Sequence, residues 1–163
     1  MCRGLPQDGW LIMAYPISRV WDIVEKARIG MLTTHFNGGL RARPLEARAD
    51  RSAGIIWFVT DVRGTKDDEI DAAHEIGLVF IDAGDQVFLS ITGRAFVKRA
   101  TAATKEIWRK TDDNWFAGGL ADPNVRVIRI EPTTAELWDG SSSAVVSAYE
   151  FARTTEESAI CRI

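Results

Sequence analysis

QVFLSITGRAFVKR (86–99) reads as one long strand, and it decides the class of fold. β-Branched and aromatic residues dominate it, as they do on half-buried pleated surfaces. Gly93 interrupts the run and marks a bulge or bend. EIGLVFID (75–82) precedes it across a tight glycine turn, so the two pair as neighbours. Further upstream, GIIWFVT (54–60) is apolar almost throughout and reads as a buried strand. IGMLTTHF (29–36), the turn residues Asn37, Gly38 and Gly39, and LRARPLEARA (40–49) spell a β-hairpin. Downstream, VRVIRIEP is strand-like, with an alternation that slips phase between Val127 and Ile128 and so hints at a bulge. TAELWDG is placed to pair back against it.

Helices fall only between and after these strands. SRVWDIVEKAR (18–28) opens on Ser18 as a candidate N-cap and sets Val20, Ile23, Val24 and Ala27 on one stripe. A second helix opens at Thr65, TAATKEIWRK (101–110) is a third, and SSSAVVSAYEFARTTEE (141–157) a fourth. Six or seven strands joined by hairpin connections favour antiparallel pairing in a mainly β fold, a small barrel with flanking helices. No repeat or linker divides the chain. The expected organisation is an N-terminal extension (1–15), one barrel domain (16–140), and a C-terminal helix and tail (141–163). Met13 is an alternative start to Met1.

Bulk properties exclude several classes. Twenty Lys and Arg against 23 Asp and Glu give a formal net charge of −3, with no long basic run, which argues against nucleic acid as partner. No apolar run approaches the ~20 residues of a membrane-spanning helix. Cys2 and Cys161 lack disulfide-framework or zinc spacing, so free thiols in the cytoplasm are expected. His35 and His74 are the only histidines, and CxxC, HExxH, GxSxG and Walker patterns are missing. No metal site is expected and no residue can be assigned a catalytic role.

Three features could carry chemistry. In WFVTDVRGTKDDEI (57–70), a strand turns into a helix whose acids, Asp67, Asp68 and Glu69, suit the positive end of the dipole, whereas Arg63 and Lys66 do not. An anion held there would explain both cations, with Gly64 allowing close approach and Thr60 and Thr65 offering hydroxyls. A capping box using Thr65 and Asp68 accounts for the helix start without a ligand. In RARPLE (41–46), Arg41 and Arg43 share a face and Pro44 forbids one ladder bond, so the strand is an edge or is bulged. Those arginines either pair with nearby acids or reach the anion. Trp115 and Phe116 stand in a polar loop, where large apolar groups seal an interface or wall a planar ligand. Trp57 and Trp108, on apolar stripes, are most simply core.

IGMLTT, RARPLE, IWFVTDVRGTKDDEI, VFLSITGRAFV, and TDDNWF with DPNVRVIRIEPTTAELWDG stand in an order that resembles the pyridoxamine 5'-phosphate oxidase-like FMN-binding split barrels, general stress protein 26 branch. The resemblance spans about 16–140 and implies an antiparallel Greek-key split barrel. It implies that Lys66 pairs with the FMN phosphate, that Thr65 donates to it, and that Arg63 and Gly64 complete the turn. Val59 and Thr60 would hold the phosphoribityl chain, Arg41 or Arg43 would reach the phosphate, and Arg43, Pro44 and Leu45 would offer backbone to the ring. Homodimers with flavin at the interface are implied, the second subunit contributing Phe88, Ser90, Trp115, Phe116 and Trp138. The tail EFARTTEESAICRI lacks the Arg-Leu-His-Asp-Arg-like block of the true oxidases, so pyridoxamine phosphate is not the expected substrate.

The resulting expectation is an FMN-dependent oxidoreductase acting on a small molecule, with NAD(P)H a candidate electron donor. The alternative is a non-catalytic flavin carrier. A deazaflavin, haem or cofactor-free version of the barrel also remains open at this level.

Overall fold

The structure is a computed structural model that describes residues 17–63, 66–140 and 146–151. Helix α1 (Ser18–Ala27) buries Val20, Trp21, Ile23 and Val24. Ser18 lies inside its first turn; Ile17 holds the cap position and no side chain caps the helix. Strands β1 (Ile29–Phe36) and β2 (Gly39–Glu46) form the expected hairpin. Asn37 and Gly38 take φ values of 48° and 76°, the left-handed pair that a two-residue turn needs to match strand twist. β3 (Arg48–Asp50), β4 (Ile55–Asp61), α2 (Lys66–Ala72), β5 (Glu75–Asp82) and β6 (Val87–Arg99) follow.

β7 (Val125–Asp139) is one strand of 15 residues, so TAELWDG continues VRVIRIEP instead of pairing back against it. The pairing order is β2-β1-β5-β6-β7-β4-β3, every neighbour antiparallel. The two ends of that path, β2 and β3, are joined in sequence through Ala47, which wraps the sheet into the split barrel. An eighth strand, β8 (Val146–Glu150), pairs with residues 134–138 of β7, along the edge whose other half carries β4. The terminal helix expected over 141–157 is therefore overturned at 146–150; the rest of that span lies outside the described residues. Antiparallel geometry wins there because β7 offers an open edge, and five residues pair with it.

The 101–110 helix is corrected too. Two 3₁₀ turns, Ala102–Ile107 and Lys110–Asn114, occupy the region, followed by a third at Gly119–Ala121. The bulge at Gly93 stands. Thr92 pairs Thr134 and Gly93 pairs Pro132, leaving Thr133 as the extra residue. A Cβ on Gly93 would sit 2.5 Å from the Glu131 carbonyl oxygen, so only glycine allows this approach. Val127 and Ile128 share a regular register with both neighbours; no bulge lies there. Both are buried because opposite faces of β7 are covered.

The core fills the barrel with Leu32, Ile56, Phe58, Leu78, Phe80, Leu89, Ile91, Ile128, Ile130 and Leu137, closed by α1 and by Ile70 of α2. Ile55, Phe116, Val125 and Val127 are buried outside that cluster, on the side covered by the 3₁₀ turns. Elsewhere the outer face is open and carries several exposed apolar residues. Met31 pairs Val79, Ile81 pairs Phe88, and Phe88 pairs Trp138, and all five are exposed.

Candidate functional site

Strand alternation places the RARPLE arginines. β1 turns Leu32 and Thr34 inward, and these face Arg43 and Arg41 in register, so both guanidiniums start on the inner side of β2. They meet Glu69, on α2. Arg43 Nη2 donates to Glu69 Oε2 at 2.6 Å, Arg41 Nη1 reaches Oε1 at 3.3 Å, and Thr34 Oγ1 donates to Oε2 as well. The Glu69 side chain is only 4% exposed. Arg41 also lies over the Phe36 ring, 3.5 Å from its centroid.

Among the described residues, two guanidiniums share this one carboxylate. The Nη1 nitrogen of Arg43 is buried and has no hydrogen-bond partner among the described residues. A buried guanidinium nitrogen without an acceptor is costly, and an anion's oxygen is the acceptor it fits. The open choice between pairing with acids and reaching an anion thus resolves in part: Arg41 and Arg43 pair with Glu69, and Arg43 keeps one donor uncommitted. Glu69 and Thr34 were missed as site residues. Inward alternation on β1 is the signal that would have flagged Thr34; for Glu69 it is a carboxylate next to the fully buried Ile70.

Other expected residues separate. Lys66 opens α2, but its side chain lies outside the described residues, as do Gly64 and Thr65. Arg63 folds back on Asp61, its Nη2 2.8 Å from Oδ2, and is exposed. Thr60 is buried on the inner face of β4, Val59 is half-buried on the outer one. Leu45 packs against the core, whereas Pro44 is exposed opposite Met31. Phe88 and Trp138 are exposed register partners, and Ser90 shares their face. Trp115 is 79% exposed, but Phe116 turns inward against Trp108, ring centroids 5.8 Å apart.

Trp57 departs from its expected core place. It is half-buried on the outer face of β4, opposite Arg48, and lines a cavity of about 420 Å³. Arg28, Arg48, Arg109, Glu25 and Glu106 line it too. Arg48, 6% exposed, pairs with Asp112 at 2.6 Å, and its Nε and Nη1 have no partner among the described residues. Glu46 joins Arg28 and Arg109, each at 2.5 Å. Partial burial pushes the Glu46 carboxyl up, but the Arg28 hydrogen bond and the charges of Arg109 and Arg48 outweigh it and hold the group below its ordinary value.

His74 places Nδ1 3.0 Å from the Ala95 carbonyl oxygen and stacks on Phe96, a structural role. No group of three or more His, Cys, Asp or Glu among the described residues could hold a metal. No helix among them is long and apolar enough to cross a membrane.

No curated protein matches the chain. Solved structures do. The general stress FMN/FAD binding protein of Xanthomonas citri is 25% identical over 83% of this chain and 96% of its own, with a TM-score of 0.67. A Clostridium acetobutylicum protein related to general stress protein 26 superposes with a TM-score of 0.71 at 15% identity, covering 82% and 93%. General stress protein 26 of Bacillus anthracis gives 0.65 at 18% identity, covering 74% and 91%. The last two bear on fold alone. The sequence model of the "Pyridoxamine 5'-phosphate oxidase like" family matches residues 16–158, and with it the chain belongs to that family.

Proposed function

We propose that this chain is an FMN-binding oxidoreductase of the general stress protein type, acting on a small molecule with NAD(P)H as electron donor. The observation that carries the proposal is the cluster of Arg41, Arg43 and Glu69, with Arg43 Nη1 buried and lacking an acceptor among the described residues. It stands between the RARPLE strand and the helix that Lys66 opens, where the phosphate of a flavin mononucleotide would lie. The flavin binding printed for the Xanthomonas citri relative supports the same ligand class.

In this proposal Arg43, Arg41, Lys66 and Thr65 hold the phosphate. Val59 and Thr60 flank the phosphoribityl chain, and the backbone at 43–45 meets the ring. The flavin supplies hydride or electron transfer, while the protein orients it and excludes water. The cavity beside Trp57, two residues from Val59 on the same face of β4, is where a small substrate would approach. A homodimer is part of the proposal. Exposed apolar residues in register across β1, β5, β6 and β7 form a face that a second copy would cover. The compartment inferred is the cytoplasm, from two cysteines without framework spacing.

The deciding experiment is a visible absorption spectrum of the purified protein, with the chromophore released by denaturation and identified, followed by assay of NADH and NADPH consumption. A flavin band, released FMN and donor-dependent bleaching are expected. FMN held tightly without reduction by either donor would replace the oxidoreductase with a carrier. A colourless protein that fails to quench added FMN fluorescence would refute flavin binding.

A further inference from the structure

Glu69 is an unusual tenant of a short helix. It precedes the fully buried Ile70, and its side chain is 4% exposed. A carboxylate persists in such a place only when its oxygens are fully engaged. Here three donors from two strands converge on it: Thr34 from β1, and Arg41 and Arg43 from β2. Those bonds tie the arginine strand to the helix that Lys66 opens.

The division of labour within Arg43 is the informative detail. Nη2 is given to Glu69 at 2.6 Å, while Nη1 is buried and has no partner among the described residues. Glu69 therefore fixes the guanidinium plane through one nitrogen and leaves the other to a ligand. A planar fork held on one prong loses little further freedom when the second prong binds an oxyanion. Glu69 itself is an acceptor with no proton to offer, so it adds no attractive contact to an anion.

We propose that Glu69 is a positioning residue that sets the preference for a phosphorylated flavin over riboflavin. It acts by orienting Arg43, and secondarily Arg41, toward the phosphate. This rests on the flavin reading above. Because the carboxylate takes Nη2 and not Nη1, it orients more than it competes, and its neutralisation weakens phosphate binding.

The test is fluorescence-quenching titration of flavin-free wild type, Glu69→Gln and Thr34→Val with FMN and, separately, with riboflavin. Glu69→Gln is expected to weaken FMN binding about tenfold or more, the scale on which orienting partners act at ligand sites. Riboflavin binding should stay within about twofold, since it lacks the group that Arg43 would meet. Thr34→Val removes one donor to Glu69 at constant shape and should give a smaller loss in the same direction; it carries the test if Glu69→Gln does not fold. Equal weakening of both flavins would overturn the proposal in favour of a purely structural Glu69. Tighter FMN binding would overturn it by making Glu69 a competitor. Failure of wild type to bind FMN at all would instead refute the flavin reading, and that outcome is distinct from either.

Discussion

Replacing Arg48 by methionine removes a buried guanidinium while keeping most of its apolar stem. In the wild type Arg48 Nη2 lies 2.6 Å from Asp112 Oδ1, and each residue is 6% exposed. Asp112 Oδ2 accepts the Arg109 N–H at 2.8 Å. Arg48→Met leaves Asp112 with that one bond and no close counter-ion. Breaking one side of a buried pair costs about 3–5 kcal/mol. Two nitrogens of Arg48 lack partners among the described residues, so part of its desolvation is uncompensated already, and the lower end, about 3 kcal/mol, is expected. At about 2–4 °C per kcal/mol for a chain of this size, Tm should fall by about 6–12 °C.

Asp112→Asn keeps an oxygen for the Arg109 N–H but strands the Arg48 charge, whose next acid is Glu46 at 3.6 Å. A cost of about 2 kcal/mol follows. The double variant leaves neither charge buried alone and should lie well above the sum of the two losses, with a coupling energy of at least about 1.5 kcal/mol. Urea denaturation at constant m-value reads all three. Additivity within about 0.5 kcal/mol would refute the reasoning. The 3₁₀ segment would then be held over Trp57 by packing rather than by this pair.

Two further outcomes follow from the same face of the molecule. Glu46 is held below its ordinary 4.5, so its pairing contributes stability that is present at higher pH and is lost as pH falls through the lowered value. Glu46→Gln should therefore be less stable than wild type at neutral pH, by about 1–2 kcal/mol. The gap should narrow as pH falls below that ordinary value, and a gap that stays constant or widens on acidification in denaturant titrations would contradict the assignment. Phe88→Glu should convert a dimer into a folded monomer in light scattering, since Phe88 is 44% exposed and pairs with Trp138 at the centre of the open face. A wild type that is monomeric at high concentration would defeat that expectation.

What local chemistry could specify was readable in advance. Asn37-Gly38 announces its turn because only residues tolerant of positive φ serve there, and Gly93 announces its bulge because no Cβ fits beneath the Glu131 carbonyl. What non-local geometry decides was not. SAVVSAYEF has apolar spacing that suits a helix as well as a strand, and the open edge of β7 at 134–138 settles it. Val127 and Ile128 look like a slipped phase until one sees that the 3₁₀ segment covers the outer face of β7 as the core covers the inner one. Trp57 looks like core for the same reason, because an outer face under a second layer is as apolar as an inner one. At the candidate site, arginines on an edge strand were visible, but their partner was not. Glu69 is 26 residues beyond Arg43, and its place beside the apolar Ile70 hints at burial without saying which residues it meets.

β7 also sets the scale on which the candidate site must be assembled. Val127 pairs with Val59, and Trp138 pairs with Phe88, so the two groups of nominated residues meet the same strand eleven residues apart. At about 3.3 Å per residue that is about 36 Å along the strand, well beyond the reach of a single flavin. The extra residue at Thr133 deepens the separation by reversing the phase of β7: Ile128 and Ile130 face the core on one side of it, Ala135 and Leu137 on the other. One half of the outer face then lies under the 3₁₀ turns, while the half bearing Trp138 lies bare. Measured along β7, Phe88 and Trp138 of the same chain lie far from a cofactor that meets Val59 and Thr60. In the homodimer proposed above they would serve the cofactor of the second copy. On that proposal Phe88→Glu should weaken FMN binding in a fluorescence titration although Phe88 stands far from Val59 in its own chain, and a monomeric variant that binds FMN as tightly as wild type would refute the shared site.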